Sequence, residues 1–225
     1  KHDYATRRTL LRIAQSIPSP RIEDLKTWLA DTGEQRLRQE EIDRVLAELD
    51  KIRADYQSQG RPSEWIEDRI QNIVGRNALT DQWKRRGAIE HLHFARLTAI
   101  LHQGALGVTP EQHRQIKQLP SRTNPREHMD RVELALVTLA EATATARHIE
   151  KDSQGVPALE KDVRAVAKTS EVIRELTEQN LGRSVVSTQN FLGQTKERKG
   201  KNRLPPGEQA LLFEGEQGIP RNGAP

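Results

Sequence analysis

Residues 151–192 read KDSQGVPALEKDVRAVAKTSEVIRELTEQNLGRSVVSTQNFL, and this stretch decides the fold. Gly155 and Pro157 open it, Gly182 closes it, and the polar run between them, roughly Ala158 to Gln179, predicts a long helix between two breakers. A compact terminus follows: Val185-Val186-Ser187, then Asn190-Phe191-Leu192. Two β-branched residues at 185 and 186 favour a brief strand, but one strand without a partner does not make a sheet. The chain is therefore read as all-α: an elongated helical bundle followed by a disordered basic C-terminal tail.

Working back towards the N-terminus, the same punctuation recurs. Thr9 to Ile17 predicts a short amphipathic helix ending at Pro18-Ser19-Pro20. Ser19 is then placed to cap a helix over Arg21 to Ala30, with Pro20 at its first position and Gly33 ending it. Glu34 to Gln59 predicts a charged helix whose apolar residues (Ile42, Val45, Leu46, Leu49, Ile52, Tyr56) form one narrow stripe suited to pairing with another helix. After Gly60-Arg61-Pro62, Ser63 is placed to cap a helix carrying Trp65, Ile66, Arg69, Ile70, Ile73 and Val74. That pattern breaks near Gly75 to Thr80, and Thr80 is placed to cap a short piece holding Trp83 and Lys84-Arg85-Arg86. Ile89 to Gln103 is helical, with Leu92, Ala95, Arg96, Ala99 and Ile100 on or beside one face. Thr109-Pro110-Glu111-Gln112 is a capping box with proline at the first helical position. Asn124-Pro125 reads as another start, opening a long helix to about Ile149 through Met129, Val132, Leu136, Leu139 and Ala140. The expected organisation is N-terminal helices over 1–60, a bundle over 61–193 and a tail over 194–225.

The 225 residues are 34% hydrophobic, 4% aromatic and 30% charged, which is lean in core-forming residues for one compact enzyme domain. Thin helical layers, self-association and a flexible tail together reconcile these numbers. Lys and Arg number 36 against 32 Asp and Glu, so local clusters rather than overall charge must carry any contact with nucleic acid. With no cysteine there are no disulfides, thiolate zinc sites or thiol nucleophiles. No apolar run is long enough to span a bilayer, and no secretory h-region opens the chain. A first residue of Lys rather than Met is expected of a fragment or a processed product.

No phosphate-cradling glycine loop, nucleophile elbow or HExxH pattern is present. Glu90-His91-Leu92-His93 suggests a metal site, but on a helix His91 and His93 point apart. His102 returns to the His91 side only about 16 Å along the axis. Structural histidines are the expectation, with no metal, no cofactor and no catalytic residue. Glu127-His128 read as ordinary charged helix positions, and Trp28, Trp65 and Trp83 as core.

Three basic groups remain: Arg7, Arg8 and Arg12; Lys84 to Arg86; and the dense tail cluster of Lys196, Arg198, Lys199, Lys201 and Arg203. Arginines and lysines contact phosphates by counterion release, and a flexible arm can follow a backbone without reading sequence. Solvated faces and helix C-terminal charges are the bland alternative, and they suit Lys84 to Arg86 before Gly87. From about Gly193 onward the composition cannot offset ordering entropy, so the tail is expected to be disordered in isolation. The tail also holds Gln209-Ala210-Leu211-Leu212-Phe213. Gln209, Leu212 and Phe213 match the short peptide by which bacterial DNA-processing proteins dock on the replicative sliding clamp, although Ala210 stands where Leu is more usual.

Across most of its length the chain resembles the C-terminal part of the bacterial DNA-damage-inducible protein D and BRO-type prophage antirepressors. The resemblance is carried by Leu10 to Pro20, Lys26 to Ala30, Trp65 to Ile70, Leu79 to Gly87, Leu106 to Thr109, Arg126 to Met129, Lys151 to Gly155, Val185 to Ser187 and Asn190 to Leu192. It departs in lacking the extra glycines expected around Val163 to Thr169, and in lacking most of an N-terminal BRO-N domain, which argues against sequence-specific DNA contact. What the resemblance implies is a non-enzymatic regulator of the SOS response or of prophage induction, in the nucleoid-associated bacterial cytoplasm. The partner this implies is a recombinase or a repressor; the basic clusters add DNA, single- or double-stranded and bound non-specifically, the tail peptide adds the sliding clamp, and the narrow-striped helices add a second copy of the chain. A clamp or recombinase adaptor that never touches DNA is the alternative, and a nuclease using scattered carboxylates a distant third.

Overall fold

The computed structural model describes residues 20–192, together with Thr6 and Arg12. Within this span the fold is all-α, with six α-helices, one short 3-10 helix and no strand among the described residues. The helices are α1 (Pro20–Ser58), α2 (Ser63–Arg85), α3 (His91–Leu106), α4 (Pro110–Ile116), α5 (Arg131–Glu150) and α6 (Val156–Leu181), with the 3-10 helix at Pro125–His128 between α4 and α5. No helix among the described residues is long and apolar enough to cross a membrane. Of the expected helix at 9–17 only Arg12 is described, and it is helical; the neighbouring cap at Ser19 lies outside the described residues.

Several predicted ends are real. Thr109 and Gln112 form the reciprocal capping box that opens α4, and Gly182, with φ +64°, closes α6. Two predicted breaks do not occur. α1 runs straight through Gly33, because a glycine stops a helix only where it takes up the left-handed conformation, and Gly33 does not. The strong helix formers after it carry the helix on, bridged by Glu34–Arg38 and Arg36–Glu40 contacts, each 3.3 Å. α2 likewise continues through Gly75. Thr80 does not cap there; its hydroxyl donates back to the Arg76 carbonyl at 2.8 Å, a bond made inside a helix. Nor does Ser63 cap α2, whose N-cap is Pro62.

The helix expected from Asn124 is two elements. Asn124 accepts from the Arg126 amide and opens one 3-10 turn; Met129 is extended (φ −69°, ψ 142°), and Asp130 then starts α5 through its own box with Glu133. Val185 and Val186 form no strand. Val185 is instead buried, and its amide donates to Glu178 at 3.0 Å.

Cross-links fix the packing. Along α2 and α5, Trp65 reaches the Met129 carbonyl (2.8 Å), Asn72 reaches Thr138 (3.0 Å) and Trp83 reaches His148 (3.1 Å), so the two helices run parallel. Along α3 and α6, Arg96 meets Glu160 (2.7 Å) and Gly104 abuts Ala167, so these also run parallel. The body is thus two helical hairpins, α2–α3 and α5–α6, stacked turn on turn. Where the turns meet, the Gly155 amide donates to the Arg86 carbonyl at 2.8 Å, and the Arg86 guanidinium reaches Asp152 and the Ser153 carbonyl. Both turns need a left-handed glycine, Gly87 at φ +98° and Gly155 at φ +78°. The core between the layers includes Trp65, Trp83, Leu97, Leu134 and Val163, and the second half of α1 joins it through Val45, Leu49, Ile52 and Tyr56.

The expected faces need adjustment. On α3 the buried side is Leu97, Leu101, His102, Ala105 and Leu106, while Leu92, Ala95 and Arg96 are exposed. On α5, Leu139 is exposed and Leu134 and Val137 take the core positions. Trp65 and Trp83 are core as expected, but Trp28 is 59% exposed, like most of the described residues in the first half of α1.

The α3–α6 contact leaves no room at Gly104. A Cβ there would lie 2.6 Å from the Ala167 Cα and carbonyl oxygen, both backbone atoms that cannot rotate aside. Gly104→Ala is therefore expected to cost about 1–3 kcal/mol in chemical denaturation, despite the higher helix propensity of alanine.

Candidate functional site

The body buries an unusual number of charged groups, and they fall into three networks. The one nearest the C-terminus of the described chain centres on Glu133, which its Asp130 capping box fixes at the start of α5. Glu133 and Lys117 are both fully buried, with Lys117 Nζ 2.9 Å from Glu133 Oε2. Glu133 also accepts from the Ser187 amide at 3.1 Å and contacts His113 Nε2 at 3.1 Å. Because a carboxylate only accepts, His113 donates through Nε2. Its Nδ1 lies 3.1 Å from His102 Nε2. Burial, reinforced by Arg126 and His113, pushes His102 down to about 3, so it stays neutral.

This network holds the Val185-to-Phe191 strap, the compact terminus seen in the sequence. Lys117 Nζ donates to Ser187 Oγ (3.1 Å) and to the Gln189 carbonyl (2.9 Å), and Asn190 Nδ2 donates back to the Lys117 carbonyl (2.9 Å). The Phe191 amide donates to His128 Nδ1 at 3.0 Å, which requires that nitrogen to be unprotonated. Burial, with Arg61 adding repulsion, lowers His128 to about 4. The Phe191 ring packs edge-on against Trp65 (centroids 5.6 Å) and lies 3.8 Å beneath the Arg61 guanidinium. The strap is therefore fastened by hydrogen bonds to Glu133, Lys117 and His128, gathered around a buried ion pair, and by an aromatic–cation stack.

The second network joins α2 to the segment before α5. Arg69 donates to Glu127 (2.8 Å), which also accepts from the Tyr56 hydroxyl (2.7 Å). Arg126 and Arg76 converge on Glu141 at 2.6 and 3.3 Å, and Asn72 accepts from both Arg69 and Arg126, 3.0 Å each. Glu127 and His128 are thus structural hubs rather than ordinary helix positions. The third network lies at the hairpin turns. Asp162 accepts from Ser153, from Arg147 (3.0 Å) and from His148 Nδ1 (3.4 Å). The Trp83 indole, a donor only, fixes Nε2 of His148 as an acceptor and so leaves the proton on Nδ1. Despite burial, the hydrogen bonds from Ser153, Arg147 and His148 hold Asp162 below its ordinary value.

Against these networks the sequence candidates fare unevenly. His91 is exposed, and His93 serves the α3 capping box with Glu90. Among the described residues no group of three or more His, Asp and Glu could hold a metal ion. Of the basic groups, Lys84 pairs with Asp81 at 2.9 Å, Arg86 is tied to the facing turn, and Arg12 is exposed. Arg7, Arg8, the cluster Lys196, Arg198, Lys199, Lys201 and Arg203, and the peptide residues Gln209, Leu212 and Phe213 lie outside the described residues. Sequence reasoning missed Lys117, His113 and Glu133. Asp130-x-x-Glu133 was visible as a capping box, but nothing local marks Lys117 as buried. No protein-family model matches the chain, and no curated protein is significantly similar to it.

Proposed function

We propose that this protein is a non-catalytic regulator of the DNA-damage or prophage-induction type, whose helical body serves as a mount for the C-terminal tail. The supporting observation is where the buried charge is spent: Lys117, Glu133, His113 and His128 fasten the strap at 185–191, immediately before the tail begins. The described chain that leads to the basic cluster, Lys196 to Arg203, and the docking peptide, Gln209 to Phe213, is therefore itself held in place. In this reading the basic cluster contacts DNA phosphates without reading sequence, assisted by Arg7, Arg8 and Arg12. The resemblance to DNA-damage-inducible protein D and the antirepressors supplies the setting, a DNA-bound recombinase or repressor.

A second reading, an adaptor that docks on the sliding clamp without touching DNA, is favoured by the apolar triplet Leu211-Leu212-Phe213 in an otherwise polar tail. The two readings separate in one pair of assays. The regulator predicts DNA binding that is lost on neutralising the five basic residues from Lys196 to Arg203 and kept in Phe213→Ala. The adaptor predicts clamp capture that Phe213→Ala abolishes, with no DNA binding at any salt concentration.

A further inference from the structure

α1 carries a second seam that the rest of the described bundle does not cover. Val45, Leu49, Ile52 and Tyr56 face the core, but Leu46 is left 47% exposed and every residue from 30 to 40 is exposed. Leu46 continues a row made by Leu25, Trp28, Thr32, Gln35, Gln39 and Ile42, at alternating steps of three and four. This is one heptad register, with 25, 32, 39 and 46 at its first position and 28, 35 and 42 at its fourth. Asp31 and Arg38 flank the row on one side, Arg36 and Asp43 on the other.

The flanking charges select the occupant. In a parallel in-register pair, each seventh-position residue meets the fifth-position residue of the next heptad on the partner helix. Asp31 then faces Arg36 of the second copy, and Arg38 faces Asp43. The two-fold axis doubles both, giving four contacts of opposite sign and none of like sign. Leucine meets leucine at 25 and 46, tryptophan meets tryptophan at 28, and isoleucine meets isoleucine at 42. The antiparallel arrangement that keeps this row sets Trp28 against Gln39 and Leu29 against Arg36, and retains only the Asp31–Arg38 pair of opposite sign. We infer that α1 is a parallel, two-stranded self-association element whose occupant is a second copy of this chain.

Helix energetics point the same way. A charged helical arm with Gly33 at its middle is marginal in water alone, since most helix stability in proteins comes from packing an apolar face. The seam provides that packing, and its polar layers at Thr32, Gln35 and Gln39 hold the register at some cost in affinity. This pairing goes beyond the tail reading and does not depend on it.

Sedimentation of the full chain, free of nucleic acid, from about 1 to about 200 µM tests it. A monomer–dimer equilibrium is expected. Asp31→Arg places two pairs of like charges across the interface and should weaken the dimer about ten-fold. Adding Arg36→Asp should restore it. All these positions are exposed, so circular dichroism should show each variant folded. A monomer throughout, a dimer indifferent to Asp31→Arg, or rescue by Arg38→Asp in place of Arg36→Asp would each overturn the proposal, the last by requiring antiparallel helices.

Discussion

Replacing Glu133 with Gln is expected to destabilise the protein by about 3–5 kcal/mol, because it strands the Lys117 ammonium as an uncompensated charge in the interior. Both side chains are fully buried, so water cannot take over from the lost carboxylate. The same change weakens the acceptor of the His113 Nε2–H and of the Ser187 amide, loosening one side of the strap. Urea denaturation measures the first effect, and amide hydrogen exchange at 185–191 measures the second. The double variant Lys117→Met with Glu133→Leu separates them. Removing both charges should recover most of the stability, as apolar replacement of a buried ion pair often does. The strap should stay mobile, however, because the Ser187 hydroxyl and the Gln189 carbonyl have lost their donor.

Acidification should be nearly as damaging, and in a defined window. His102 and His128 are held down to about 3 and about 4 in the folded protein, against about 6.5 when unfolded. Between these values the unfolded chain binds protons that the folded chain refuses, so stability falls as pH falls. Each histidine contributes about 1.4 kcal/mol per pH unit, and the two together about 4 kcal/mol between pH 6 and pH 4.5. His148, also lowered by burial, acts in the same direction. Glu133 and Asp162, both held below their ordinary values, add to the loss only below about pH 4.5, where unfolded carboxylates protonate. Denaturation midpoints across pH 4.5–7.5 should show the slope. His128→Asn should reduce it by about one proton, because an asparagine oxygen can still accept from the Phe191 amide. A flat profile over this window would contradict the neutral, buried assignment of both rings.

What the sequence disclosed was the local chemistry. The Thr109–Gln112 box, the Gly182 stop and the Trp65 and Trp83 core positions follow from side-chain spacing alone, and they are where they were expected. Gly33 and Gly75 misled because glycine ends a helix by conformation rather than by composition; the strong helix formers Glu34 to Arg38 carry α1 past Gly33, and burial of Ile70, Ile73 and Leu79 in the core carries α2 past Gly75. The single helix expected from Asn124 ran two elements together because apolar spacing continues across the gap at Met129. The strap network was hardest to foresee. With 30% of residues charged, one lysine on a solvated-looking turn has no distinguishing mark, and Lys117 meets Ser187 and Gln189 only after the hairpins have stacked. Burial of charge depends on contacts distant in sequence, and periodicity does not report them.

We propose that the tail's basic cluster contacts nucleic acid, carried on a strapped helical mount. The most direct test is fluorescence anisotropy of labelled single- and double-stranded DNA with the full chain across a salt series. The same titration would use the variant in which Lys196, Arg198, Lys199, Lys201 and Arg203 are all alanine. Binding by the native chain that weakens steeply with salt, and that the variant loses, is the predicted result. No binding even at low salt, or binding that survives neutralisation of the cluster, would contradict it.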